Sequence, residues 1–140
     1  MYRNILLPVD LAEATSWEGA LPAATSLCRC FGATLTLATI VPDARLMLEA
    51  QWSPIRFDEM LDVARAKLSL LANTIEGVGQ VGLEVETGGI YASILAIAER
   101  RGADLIVLAS HRPAMRDYLL GSNAGRVVRH AKCSVLVVRP

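Results

Sequence analysis

The sequence predicts a doubly wound α/β domain in which helices cover both faces of a five-stranded parallel sheet. Two kinds of apolar segment alternate along the chain: short runs typical of strands, and longer stretches with the three- and four-residue spacing of helices. Apolar residues make up 53% of the 140 residues, with only 5% aromatic, and a sheet buried on both faces accommodates such a share. Strands that alternate with helices favour parallel pairing through right-handed crossovers.

The N-terminal third begins with a strand at Ile5–Val9, a continuous apolar run that ends at Asp10. The apolar period then becomes helical over residues 13–31. Pro22 lies within this stretch, and a proline in a helix interior costs about 3 kcal/mol. The pattern therefore predicts either a kink or a helix that begins near Pro22. Thr34–Ile40 alternates cleanly and is predicted to be the second strand.

The remaining elements follow the same alternation after one segment that is hard to interpret. Residues 43–55 show no sustained period, and we predict a loop there, with a short helical turn as the alternative. The other predicted elements are a helix at 57–75, a strand at Val81–Glu86, a helix at Ile90–Arg101, a strand at Asp104–Ala109, a loop at Ser110–Leu120, a helix at Gly121–Ala131 and a strand at Ser134–Val138. We expect residues 1–140 to form a single domain.

Composition excludes several classes of function. Fourteen basic residues balance fourteen acidic ones, so the net charge provides no overall attraction to nucleic acid or to an anionic membrane. No apolar run approaches the roughly 20 residues of a membrane span, and the N-terminus does not resemble a signal peptide. Three cysteines without framework spacing indicate free thiols rather than disulfides or a metal site. We therefore expect a cytoplasmic protein that binds neither nucleic acid nor membrane.

Ligands of doubly wound sheets bind at the carboxyl ends of the strands, where the strand order reverses. This rule selects four places in the sequence: Asp10, Val41–Pro42, Gly88–Gly89 and the stretch from Ala109 to Asn123. The last of these leaves a buried strand and enters a helix at Gly121–Asn123. Free N–H groups and a partial positive charge at a helix start favour an anion.

Each candidate residue also has an alternative, purely structural interpretation. Gly121–Asn123 could be a simple helix cap, with Arg112 a solvated loop charge. Asp10 could accept from ribose or adenine, or could cap the next helix. His111 could bind phosphate or act as a general base, although a lone loop histidine is more often neither. His130 is expected only to complement a helix C-terminus. The P-loop, the dinucleotide fingerprint and the nucleophile elbow are absent.

Three segments together resemble the universal stress protein family: Tyr2–Asp10, Gly102–Ser110 and Leu119–Arg139. The resemblance covers nearly the whole chain. It implies the strand order 3-2-1-4-5, with Asp10 and Ala109 facing each other across the point where the order reverses. It also implies a homodimer paired through the last strand, Ser134–Val138, with a tetramer as the alternative.

Part of that family binds ATP through the pattern G-x-x-G-x9-G-[ST] after the fourth strand. In this sequence Ala109 and Arg112 replace the first two glycines, and eight residues rather than nine precede Gly121–Ser122. The loop nevertheless looks like a family variant that is associated with nucleotide binding. The resemblance therefore implies ATP as the ligand, with or without Mg²⁺.

The nucleotide-binding residues implied by this resemblance come from three regions of the chain. Asp10 is expected at the adenosine, the Ile40–Val41 backbone at adenine and Ala109 at the ribose, with the phosphates on the later loop. The full expected set is Pro8, Val9, Asp10, Ile40, Val41, Leu108, Ala109, His111, Arg112, Gly121, Ser122 and Asn123. No catalytic residue and no metal ligand is predicted.

Three functions are compatible with this sequence. The leading hypothesis is an ATP-binding stress-response or regulatory module rather than a fast enzyme, because no residue set for rapid hydrolysis is visible. The first alternative is a slow ATPase or nucleotidyl-transferring enzyme in which His111 or Asp117 acts. The second is an assembly module with a vestigial nucleotide pocket.

Overall fold

A computed structural model describes residues 1–41, 54–110 and 122–139 of the protein. Five parallel strands form one sheet in the order β3-β2-β1-β4-β5, which confirms the predicted fold class and strand order. The elements are β1 (Asn4–Pro8), a 3₁₀ turn (Ala14–Ser16), α1 (Ala20–Phe31), β2 (Thr34–Val41), α2 (Pro54–Asn73), β3 (Val81–Thr87), α3 (Ile90–Arg101), β4 (Leu105–Ala109), α4 (Ser122–His130) and β5 (Ser134–Val138).

The predicted helix over 13–31 is wrong in its first third. Regular α-helix begins only at Ala20, and a separate 3₁₀ turn occupies Ala14–Ser16. Pro22 therefore lies in the first turn of α1, where a helical N–H needs no partner. The alternative start near Pro22 is the correct one.

Proline also explains the boundary of α2. That helix begins at Pro54, inside the predicted loop at 43–55, and ends at Asn73 instead of residue 75. The remainder of that loop, and the predicted loop after Ser110, fall on residues 42–53 and 111–121, outside the described part of the chain. By contrast, α3 and β5 have the predicted bounds.

Both faces of the sheet are buried at its central strand, β1. Odd-numbered residues of β1, such as Ile5 and Leu7, face α1 and α2, and Leu6 faces α3 and α4. All three of these side chains are almost completely buried. The continuous apolar run of β1 is thus the signature of a central parallel strand. None of the described helices has the length and hydropathy of a membrane span.

A hydrogen-bonded latch joins β1 to β4 at the amino ends of the strands. The Asp104 carboxylate accepts from the backbone N–H groups of Arg3 at 2.8 Å and Asn4 at 3.1 Å. The Asp104 N–H donates to the Asn4 carbonyl at 2.9 Å, and the Asn4 amide donates to the Gly102 carbonyl at 3.2 Å. We call these contacts the Asp104 latch.

The two edge strands differ in charge. Along β3, Glu84 binds Arg101 at 2.6 Å and Arg100 at 3.0 Å, and Glu86 also binds Arg100. Burial tends to raise the pKa of Glu84, but hydrogen bonds and charge from the two arginines outweigh it and lower the pKa. The other edge, β5, has no ionisable residue among Ser134–Val138. Charged side chains protect an edge from further strand pairing, so β3 is protected and β5 is not.

The Asp104→Ala substitution should destabilise the protein by about 1–2 kcal/mol, because two backbone N–H groups lose a charged acceptor. Urea denaturation monitored by circular dichroism measures this change. Glu99→Ala is the matched control, since Glu99 and its partner Lys132 are both highly exposed. Its cost should stay below about 0.5 kcal/mol. Equal costs in the two variants would contradict a stabilising role for the latch.

Candidate functional site

The carboxyl ends of β1 and β4 lie apart. β1 pairs with β2 from Asn4–Thr34 through Pro8–Ala38, and the Val9 N–H extends this pairing by a bond to the Ala38 carbonyl. Between β1 and β4, by contrast, the strand pairing within the described residues ends at Leu6–Ile106. The sheet therefore opens at the point where its strand order reverses, as expected for a ligand crevice.

A cleft of about 490 Å³ lies beside this opening, between the ends of β1 and β2 and the helix α2. A cleft of this size is suited to a small-molecule ligand. Its described lining is mainly apolar, with Asp10, Glu59 and Lys67 as the charged members. The lining residues are Asp10, Leu11, Ala12, Thr39, Ile40, Val41, Glu59, Met60, Val63, Ala64 and Lys67. The structure thus brings together three of the predicted site residues: Asp10, Ile40 and Val41.

Asp10 is held by a compact turn immediately after β1. Its Oδ1 accepts from the Ala12 N–H at 3.0 Å. The hydroxyl of Ser16 accepts from the Asp10 N–H at 2.9 Å and donates to the Asp10 carbonyl at 3.2 Å. Asp10 is therefore not the cap of α1, which begins ten residues later, and its exposed carboxylate is fixed at the cleft.

The end of β2 contributes backbone groups to the cleft. The Val41 carbonyl accepts from the Gly88 N–H at 3.4 Å, and a carbonyl oxygen has a second lone pair for another donor. Gly88 has a φ of +123°, a conformation that glycine adopts without strain. It belongs to the predicted Gly88–Gly89 turn, which thus meets the end of β2.

Four other predicted residues lie at the same end of the sheet but outside the described cleft lining. Pro8 is half-buried at the end of β1, and Val9 is buried against α1 and α2. Leu108 is buried on the opposite face, with α3 and α4. Ala109 ends β4 in register with Val138.

The predicted phosphate loop is described only where it enters the helix. α4 begins at Ser122, and Asn123 is half-buried in its first turn. His111, Arg112 and Gly121 lie outside the described residues. The predicted contact of this loop with phosphate therefore remains a prediction.

Sequence reasoning missed the contribution of α2. By their spacing Met60 and Ala64 belong to the same apolar stripe of the helix as Leu68, yet both are only half-buried and line the cleft. The core contact of α2 is carried further along the helix by Leu68, which is fully buried. A usable signal exists: a helix that follows β2 must start at the carboxyl end of the sheet. Its first turns therefore border any ligand crevice there.

Other possible reactive groups offer little chemistry in the described part of the chain. That part contains no cluster of three metal-ligating side chains. The three cysteines are free, and burial raises the pKa of Cys28 to about 11, so that thiol is a poor nucleophile at neutral pH. His130 ends α4, as predicted, with its ring stacked on Tyr91 at 6.3 Å between ring centroids.

The fold defines a doubly wound α/β protein, with a cleft of ligand size at the carboxyl ends of β1 and β2. More specifically, the chain belongs to the universal stress protein family, whose sequence profile matches residues 1–139. Universal stress protein G from Escherichia coli O157:H7 is 34% identical, an alignment that covers 99% of this chain and all of that protein.

Solved structures show the same fold. The hypothetical protein MJ0577 superposes with a TM-score of 0.76 at 23% identity, covering 100% of this chain and 97% of the other. A universal stress protein solved in complex with cAMP gives a TM-score of 0.64 at 23% identity, with coverage of 99% and 97%.

The role of Asp10 in the turn can be separated from a role of its charge. Asp10→Ala should destabilise the fold by about 0.5–1.5 kcal/mol, because the Ala12 N–H loses its acceptor. Asp10→Asn retains an oxygen at that position, so its unfolding free energy should match the wild type within about 0.5 kcal/mol. Urea denaturation of both variants provides the comparison. An equal loss in Asn and Ala variants would show that the turn does not depend on this hydrogen bond.

Proposed function

We propose that the chain is an ATP-binding universal stress protein that acts as a stress-response or regulatory module in the cytoplasm. The observation that carries this proposal is the cleft formed by Asp10, the Ile40–Val41 strand end and α2. The family membership and the cAMP complex of a structural neighbour support an adenine nucleotide as the ligand.

The cleft suits the adenosine half of such a ligand. Met60, Val63 and Ala64 offer apolar contacts to the flat faces of a base. The Val41 carbonyl can accept from an exocyclic amine, and the Asp10 carboxylate can accept from ribose hydroxyls or from that amine. The apolar walls account for affinity, and these two oxygen acceptors account for orientation.

The phosphates would extend from the cleft across the end of β4 toward α4. Ser122 and Asn123 occupy the first turn of that helix, where N–H groups without helical partners bind anions. We propose that Gly121 allows close approach of the phosphates and that His111 and Arg112 add contacts. Mg²⁺ could accompany the nucleotide through its phosphate oxygens.

Nucleotide binding is tested by calorimetry with wild-type protein and the Val63→Trp variant. Val63 lines the cleft and is 52% exposed, so a larger side chain should occupy ligand space without disturbing the core. We expect ATP affinity to fall at least about tenfold. Leu70→Trp is the matched control, because Leu70 is 67% exposed on the same helix and is not among the lining residues. Its affinity should be unchanged.

The same preparations distinguish the competing functions. Wild-type protein that binds no ATP at millimolar concentration would refute nucleotide binding and leave the assembly module. Equal affinity in the two tryptophan variants would refute the assignment of this cleft. Turnover of bound ATP with Mg²⁺ would favour the enzyme over the regulatory module.

We further propose that the protein forms a homodimer by pairing β5 with its counterpart in a second copy. The charge difference between the two sheet edges supports this arrangement. β3 is protected by Glu84, Glu86 and their arginine partners, whereas β5 exposes apolar side chains such as Leu136, which is 37% exposed.

Leu136→Lys should weaken this dimer, because lysine on an edge strand opposes pairing and two like charges approach each other across the two-fold axis. Sedimentation velocity at several concentrations should show a shift from dimer toward monomer. Glu86→Lys, on the opposite edge, is the control and should leave the distribution unchanged. A wild-type protein that stays monomeric, or a Leu136→Lys variant that stays fully dimeric, would contradict pairing through β5.

A further inference from the structure

We propose that the exposed face of α2 is a second self-association surface, on which two copies of this chain pack their α2 helices side by side and parallel. Val63, Ala66 and Leu70 form a stripe on this face, which we call the α2 seam. Val63 is 52% exposed, Leu70 is 67% exposed and Ala66 is also exposed. Their spacing of three and four residues aligns them along one side of the helix.

The seam is separate from the contact of α2 with its own core. Leu68 is fully buried, and Leu71 packs against the same core cluster. At 100° per residue, the seam lies on the side of the helix roughly opposite Leu68. α2 thus carries two apolar stripes, whereas a surface helix needs only one to pack on its domain.

The charges that flank the seam favour a second copy of the chain as the partner, in a parallel direction. In a heptad frame Val63 and Leu70 take the a positions and Ala66 the d position, which puts Asp62 at g and Lys67 at e. Both charged residues are exposed. In a parallel pair, Asp62 of each copy faces Lys67 of the other, and the two-fold symmetry makes this contact twice. In an antiparallel pair the Asp62 sides of the two helices would face each other, and so would the Lys67 sides, which brings like charges together. The pattern therefore favours a parallel second copy.

The seam has the residue sizes that close helix pairing requires. Ala66 at its centre permits a short interhelical distance, and the β-branched Val63 suits an a position in a two-stranded pair. With only three apolar residues, and with the exposed Glu59 at the preceding d position, the contact is weak alone. It lies on the helix layer, away from β5, so a copy can use both surfaces and form assemblies larger than a dimer. Val63 also lines the cleft, which brings this contact to the border of the ligand site.

The test uses the full chain with Leu136→Lys, so that pairing through β5 does not mask the seam. Sedimentation velocity up to about 1 mM should reveal a concentration-dependent dimer. Leu70→Glu should lower its association constant at least about tenfold, because a charge would be buried against the other copy. Ile90→Glu, at a residue that is 49% exposed on α3, should leave the constant unchanged. Circular dichroism of each variant checks that it is folded.

Charge reversal tests the parallel direction. Asp62→Lys should weaken association about twofold to fivefold, and addition of Lys67→Asp should restore it. A protein that stays monomeric up to 1 mM, or equal effects of Leu70→Glu and Ile90→Glu, would overturn the seam. A double reversal that associates no better than Asp62→Lys alone would overturn the parallel arrangement.

Discussion

The site depends on one constraint: β1 and β4 are joined at their amino ends and separate toward their carboxyl ends. The Asp104 latch supplies the joint, since one carboxylate accepts from two consecutive N–H groups of the neighbouring strand. Beyond Leu6–Ile106 the described strands continue with other partners, β1 with β2 and β4 with β5. The crevice therefore arises from the topology, because the chain winds outward in opposite directions from this pair.

Much of the fold could be predicted from sequence because its elements carry signals at both ends. α3 has the predicted bounds, with Gly89 before it and Gly102 after it in the left-handed conformation at φ +63°. The start of α1 could not be read in the same way. Trp17 packs against the core although it precedes the regular helix. Apolar periodicity reports which side chains are buried, and it does not distinguish a 3₁₀ turn from an α-helix.

Prediction of the site was limited by the same ambiguity. Asp10 and Val41 could be found because strand ends are visible in a sequence and the fold class makes them meet. The sequence could not show that Met60 lines the cleft whereas Leu68 lies in the core. Both belong to one helical stripe, and they differ in how far along the strand direction they lie over the sheet. That position depends on the tilt and the starting point of α2, which are set by tertiary packing. The alternative interpretation of Asp10 as the cap of the next helix is wrong for a related reason. A hydrogen-bonded turn and a 3₁₀ turn lie between Asp10 and the start of α1.

The two halves of α2 differ in how strongly they pack on the domain. Its second half is fixed by Leu68, which is fully buried, whereas Met60 and Ala64 in the first half are only half-buried. A ligand that fills the cleft adds contacts to this less strongly packed half and stabilises the folded state by mass action. Val63 lines the cleft and also belongs to the exposed seam, so the proposed ligand site and the proposed contact with a second copy share this residue.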